Sequence, residues 1–345
     1  MIRNAATACK LRRPRGLVPT GAHYMHARVI PIMPTAHMLA RRLFVAALAG
    51  LFALRAAPAR GVIIQTVSGT GNTTAPGDDP GWNNVSIRGN GTAVYLGNGW
   101  VLTANHTTGG NMTFNGQTFS EVPGTAFSLT NNGAVGKTAN TDLKMFQING
   151  IPTGVATLPI ATTTPTVGTA VTMIGGGRDR GAFTQWSVNQ TTNPWTWTEV
   201  SSGGSAAGYQ ALAARSLRWG TNAVAGTEQW SSTGSQDVLT TWTRFEFADG
   251  TSEAQAVEGD FGGPVFVKNG GQWQLAGIMV AVAGYSGQPS PELTAVFGND
   301  TFMADLSYYR SQIVAVVPEP SAAMLAGMAL AGGAAWATIR RRIRP

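Results

Sequence analysis

Glu258-Gly259-Asp260-Phe261-Gly262-Gly263-Pro264-Val265 is the stretch on which the reading of this chain turns. Small residues around two acidic and one aromatic side chain describe a tight loop whose backbone N–H groups can be turned inward. Pro264–Lys268 then reads as a strand, and Asn269-Gly270-Gly271 separates it from a second strand, Gln272–Val282, as in a β-hairpin. Further upstream, Gly99-Trp100-Val101-Leu102-Thr103-Ala104-Asn105-His106 ends a strand in a histidine. Gly97-Asn98-Gly99 links that strand, Trp100–Asn105, to Thr92–Gly97 in another hairpin. Between the histidine and the glycine-rich loop, Thr141-Asp142-Leu143 with Met145 and Ile148 sets an aspartate at the opening of an apolar strand.

The rest of the body, from Gly61 onward, alternates short apolar runs with turn pairs, which is the pattern of an all-β fold. Trp195–Val200, Asp237–Ala248 and Ala170–Ile174 are further strand candidates. Thr301–Val314 differs: Met303, Leu306, Tyr309 or Arg310, and Ile313 recur at helical spacing after a capping region, Asn299-Asp300-Thr301. Ala161–Gly168, rich in Thr and Pro, is the candidate linker between two halves. Of ten tryptophans, Trp186, Trp195, Trp197, Trp219, Trp230 and Trp242 cluster in the second half. They are read as filling barrel cores and loop bases, with a carbohydrate-stacking platform as the alternative.

Taken together, the histidine, aspartate and glycine-rich motifs resemble those of the trypsin/chymotrypsin-like serine protease family, in the order that family uses. The glycine-rich stretch is similar to the family's Gly-Asp-Ser-Gly-Gly-Pro-Val with one substitution. Trp273–Ile278 resembles the strand that walls the family's substrate cleft, and the late helix its C-terminal helix. The resemblance covers roughly residues 85–315. It implies an all-β fold of two Greek-key β-barrels of chymotrypsin type with a C-terminal helix, the barrels spanning about 62–160 and 169–315. It also implies that His106 is a general base and that Asp142 orients its ring. The N–H groups of Gly259 and Phe261 are implied as an oxyanion hole, and Gln255 as the base of the specificity pocket. A neutral Gln there does not favour Lys or Arg in the ligand. Asp260 is implied as the carboxylate that meets a freed N-terminus, the part of Gly61-Val62-Ile63 in this being open.

Phe261 stands at the nucleophile position. A phenyl ring has no lone pair for attack and no proton for His106 to remove. Losing the nucleophile of such a site costs on the order of 10⁶ in kcat. Ser252 lies too far upstream to replace it. The sequence therefore describes a protease homologue without protease activity, binding a polypeptide or matrix ligand. Two other readings stay open: an active secreted serine endopeptidase, if Phe261 is a sequencing error or a recent change, and a structural protein of a biofilm matrix.

The ends of the chain concern its address. Residues 38–60 have a signal peptide's three parts: Arg41 and Arg42, the apolar run Leu43–Leu54, and Ala57-Pro58-Ala59. Residues 1–37 read as a leader extension or a start codon assigned too early, Met38 being a natural start. Val317-Pro318-Glu319-Pro320, the apolar Ala322–Ile339 and the arginines 340–342 and 344 resemble a PEP-CTERM sorting signal over 317–345. That resemblance implies an exosortase-type sorting enzyme as a partner and the surface or extracellular matrix of a Gram-negative bacterium as the destination. Membrane contact is expected only through these two segments.

The formal charge of +7 belongs to the termini: residues 1–60 hold ten Lys/Arg, while 61–317 have an acidic excess of about six. This removes the basis for a nucleic-acid partner. The single cysteine, Cys9, and three of four histidines (His23, His26, His37) also fall in the leader. A disulfide framework and a His/Cys metal site are thereby excluded from residues 61–316, and no cofactor is expected.

Overall fold

The computed structural model describes residues 61–65, 71–247 and 251–318, all within one compact unit, Pro58–Pro345. The segments read as leader, signal peptide and sorting signal lie outside the described residues, apart from Val317 and Pro318. Among the described residues, no helix is long and apolar enough to cross a membrane.

The first half contains β1 (Ile63–Ile64), β2 (Val85–Arg88), β3 (Gly91–Gly97), β4 (Trp100–Ala104), β5 (Met112–Phe114), β6 (Gln117–Phe119), β7 (Phe127–Thr130) and β8 (Asn140–Gln147). Five of these form one antiparallel sheet in the order β2-β3-β4-β8-β7. The β5–β6 hairpin is held to β2 by the Thr113 N–H, which donates to Ser86 Oγ at 2.7 Å. β3 is buried along its whole length, so an uninterrupted apolar run replaces alternation there. The β3–β4 turn needs two left-handed residues in succession, and Asn98 (φ 52°) and Gly99 (φ 81°) supply them.

The second half adds β9 (Ala170–Gly175), β10 (Arg178–Asn189), β11 (Thr196–Val200), β12 (Ala206–Arg215), β13 (Arg218–Thr233), β14 (Gln236–Arg244), β15 (Ala254–Gln255), β16 (Pro264–Asn269), β17 (Gln272–Ala283), β18 (Thr294–Val296) and β19 (Asp300–Asp305). A closed six-stranded barrel runs β13-β14-β19-β17-β16-β9. Outside it, β11-β10-β12-β18 form a separate four-stranded sheet, and β1 pairs with β15. An all-β chymotrypsin-type fold with a C-terminal helix, α1 (Leu306–Val316), is thus what the chain adopts. The largest apolar cluster runs from one half to the other: Leu96, Leu102 and Leu143 meet Phe266, Leu275 and Ile278, with Leu306, Tyr309 and Ile313 of α1 closing one side.

Three expectations are revised. The helix begins at Leu306, because residues 300–305 hydrogen-bond between β14 and β17 and their backbone is already committed to the barrel. Its cap is Asp305, whose Oδ1 accepts from the Ser307 N–H at 3.0 Å. Second, of the six clustered tryptophans Trp186 is buried and Trp219 and Trp242 pack half-buried against the largest apolar cluster, while Trp195, Trp197 and Trp230 lie outside it. Trp242 covers Gly226 so closely that a Cβ there would sit 1.9 Å from the ring, while Trp195 stacks on Tyr285 at 6.1 Å. Third, the Trp195–Val200 strand starts one residue later, and Asp237–Ala248 ends at Arg244.

Tyr309 is the bolt between helix and sheets. It is buried, its hydroxyl donates to Asn131 Oδ1 at 2.9 Å and accepts from the Leu239 N–H at 3.0 Å and from Thr141 Oγ1 at 3.1 Å. Burial pushes its pKa up to about 12, so the phenol stays neutral. Tyr309→Phe leaves those groups without their partner in a dry site. Denaturant unfolding is expected to show a loss of about 1–3 kcal/mol; a change under about 0.5 kcal/mol would refute this role.

Candidate active site

Two strand ends create the first half of the site. In the β4–β8 register Ala104 faces Leu143 as the last pair, so Asn105-His106, just past the end of β4, meet Asp142, the residue before Leu143 within β8. The Asn105 N–H donates to the Asp142 backbone oxygen at 3.1 Å and the His106 N–H to Asp142 Oδ1 at 3.0 Å. The ring closes the arrangement: His106 Nδ1 lies 2.7 Å from Asp142 Oδ2. Asp142 is fully buried and the His106 side chain is 35% exposed. With Nδ1 given to the carboxylate, Nε2 is the ring atom left for the cleft, and no described residue hydrogen-bonds to it.

The glycine-rich loop supplies the other half. The Asp260 N–H donates to the Val257 oxygen at 3.0 Å, and the Gly263 N–H to the Asp260 oxygen at 2.8 Å. The Gly262 N–H donates to the Met279 oxygen at 2.8 Å, and the Phe261 oxygen accepts from the Thr92 N–H at 2.8 Å. Gly259 has φ 94°, which only glycine takes without strain. Its oxygen is pinned away from the cleft by Thr92 Oγ1 at 2.8 Å and Arg215 Nη2 at 3.1 Å. The N–H groups of Gly259 and Phe261 then have no acceptor among the described residues.

Phe261 puts its ring 5.3 Å from that of His106, at 66°, in an edge contact. Both line a cleft of about 510 Å³, with Gly259, Glu258, Glu292, Val280, Ala281, Val282 and the β13–β14 tip, Ser232–Gly234. The hydroxyls nearby are engaged elsewhere: Ser232 with Asp237 Oδ1, Thr233 with the Gln236 oxygen, and Thr107 with the Ala104 oxygen. None of them hydrogen-bonds to His106.

The structure gathers His106, Gly259 and Phe261 at the cleft, places Asp142 directly behind His106, and puts Asp260 beneath the loop. Gln255 is fully buried in β15 beside β1, outside the residues lining this cleft, and its Oε1 has no partner among the described residues. The wall of the cleft is Val280–Val282, two residues beyond the Trp273–Ile278 stretch read for it, on the same strand. Arg215, Thr92 and the hairpin tip carry no motif; only the folded register brings them to the loop. Among the described residues no cluster of His, Cys, Asp and Glu is placed to hold a metal.

Asp260 is enclosed on every side. Its Oδ1 accepts from the Gly177 N–H at 2.7 Å and its Oδ2 from the Val257 N–H at 2.8 Å. Gly61–Gln65 is buried nearby: a Cβ on Gly175 would lie 2.1 Å from Asp260 Oδ1 and 2.9 Å from Val62. Burial raises its pKa to about 7, against the pull of those two N–H groups and of Arg215 and Arg218. A carboxyl raised from 3.8 to about 7 makes the native state bind more protons than the unfolded chain in between. Its contribution is present below pH 4 and fades as pH rises through 7. Urea unfolding is expected to show a fall on the order of 1 kcal/mol per pH unit between pH 5 and 7 from this group. Asp260→Asn should flatten the profile; parallel profiles would exclude the effect.

Residues 68–297 match the family described as Trypsin. No curated protein matches the chain. Among solved structures, mouse neuropsin, a serine protease expressed in the limbic system of the brain, is similar at 16% identity and a TM-score of 0.43, over 72% of this chain and 98% of its own. A mutant of human heparin-binding protein is similar at 15% identity and a TM-score of 0.42, over 73% and 97%.

Proposed function

Because this chain belongs to the trypsin family, we propose that it is a member that has kept the cleft and lost the reaction, and that it binds polypeptide outside the cell. The observation carrying this is the phenyl ring of Phe261 edge-on to His106 at 5.3 Å, where acyl transfer needs a hydroxyl. His106 Nε2 has a site to receive a proton and nothing beside it to give one. The cleft still offers an extended ligand an apolar wall at Val280–Val282 and two unengaged N–H groups at Gly259 and Phe261. Asp260 as the partner of a freed N-terminus belongs to the same proposal, whereas Gln255, buried beside β1 and away from the cleft, has no part in it. Residues 38–60 and 317–345 route the chain through export and sorting in this reading.

A second reading, an active secreted endopeptidase, draws on the intact His106–Asp142 pair at 2.7 Å. Resequencing the codon for Phe261 separates the two, since a single base (TCY to TTY) distinguishes Ser from Phe. At the protein level, the full chain and its Phe261→Ser variant are treated with a fluorophosphonate probe. The variant alone is expected to label, with the unmodified chain at least about 10⁴-fold slower. Labelling of the unmodified chain would overturn the proposal. Labelling of neither would mean that the loss extends beyond residue 261.

A further inference from the structure

The four-stranded sheet outside the barrel ends at the glycine-rich loop. Arg178, the first residue of β10, and Arg215, the last of β12, are cross-strand partners at one end of their ladder. From there they grip consecutive loop residues. Arg178 Nε donates to Glu258 Oε2 at 2.6 Å and its backbone N–H to the Glu258 oxygen at 3.0 Å. Arg215 reaches Gly259.

Arg215 is committed to four backbone oxygens and no carboxylate. Nε donates to Gly176 at 2.9 Å, Nη1 to Gly89 at 2.6 Å, and Nη2 to Gly91 at 2.8 Å and Gly259 at 3.1 Å. Those oxygens come from three segments far apart in sequence: the β2–β3 turn, the end of β9 and the loop. A planar fork with fixed donor directions can serve all of them, and a point charge cannot. Space is equally tight, since a Cβ on Gly259 would lie 2.6 Å from Arg215 Nε.

We propose that Arg215 is a positioning residue that holds the Gly259 oxygen inward on one side of this glycine while the Arg178 backbone N–H holds the Glu258 oxygen on the other, so that the Gly259 N–H between them stays turned toward the cleft, and that the β10–β12 ladder exists at this place to deliver both grips. The cleft is then preformed by the chain's own side chain, and the inference does not depend on which residue occupies position 261. Thr92 Oγ1 keeps a second hold on the same oxygen at 2.8 Å, so removing Arg215 loosens the peptide and leaves β3 in place.

Backbone amide exchange in the full chain, followed by mass spectrometry, tests this with Arg215→Met and Arg215→Lys. In Arg215→Met, exchange in peptides covering residues 257–263 and 89–92 is expected to speed up by roughly tenfold or more, with β8 and α1 unchanged. Arg215→Lys should accelerate the same peptides by a smaller factor, because an ammonium keeps the charge without the fork. Unchanged exchange at 257–263, or acceleration spread evenly through β8 and α1, would overturn the inference. If Arg215→Met fails to fold, Arg215→Lys decides by the same criterion.

Discussion

A fully buried carboxylate must find donors, and the cleft is organised by how Asp142 finds them. Water would otherwise solvate its oxygens, and burying them unpaired costs several kcal/mol. The β4–β8 register solves this by bringing the chain just after β4 back over Asp142, so that the His106 N–H takes one oxygen and the His106 ring the other. The position of the imidazole at the cleft is therefore a consequence of strand pairing. Anything the cleft does is built on a ring whose tautomer and orientation are fixed from behind.

The loop on the opposite side obeys the same demand from a different direction. Gly259 and Phe261 present unengaged N–H groups because every oxygen in their neighbourhood has been turned away and satisfied: Gly259 by Thr92 and Arg215, Phe261 by the Thr92 N–H, Asp260 by Gly263. Asp260 below supplies the anchor, at the cost of a desolvated carboxyl whose pKa lies near 7. An arginine beside it offsets part of that cost through its charge and spends its hydrogen bonds on carbonyl oxygens. The loop thus takes its shape from one anion and one fork-shaped cation, both interior.

How much of this is legible in the sequence follows the range of the interactions. His106, Asp142 and the loop of residues 258–265 announce themselves because each is a local pattern, an apolar run beside a polar residue or a glycine-dense turn. The two hairpins are equally clear, since Asn98-Gly99 and Gly270-Gly271 are turn chemistry written in adjacent residues. β10, β12 and β13 are not. Ala206–Arg215 is alanine-rich and exposes Leu212, Ala213 and Ala214, and β13 is 16 residues long with register shifts around Gly226, so neither shows a clean period of two. The start of α1 is misplaced by the sequence pattern because Met303 also fits a helical spacing, and only the pairing of β19 with two neighbours overrides it. Arg215 has no signal of any kind: its four acceptors are backbone oxygens, which leave no signature in sequence.

The intact His106–Asp142 pair invites the conclusion that the active site is alive, but the energetics give another account. Removing the imidazole would strand Asp142 Oδ2 in a buried site, at a cost of about 1–3 kcal/mol or more. The pair is a structural necessity of this strand register whether or not a nucleophile stands opposite. Phe261, for its part, packs against the largest apolar cluster as well as against His106, so its ring contributes burial that a serine would not. Exchanging it for serine trades that packing for a hydroxyl within reach of a ready base. Stability thus favours both halves of an outward contradiction: the base is kept because Asp142 needs a partner, and the phenyl ring because the loop floor gains a packing group.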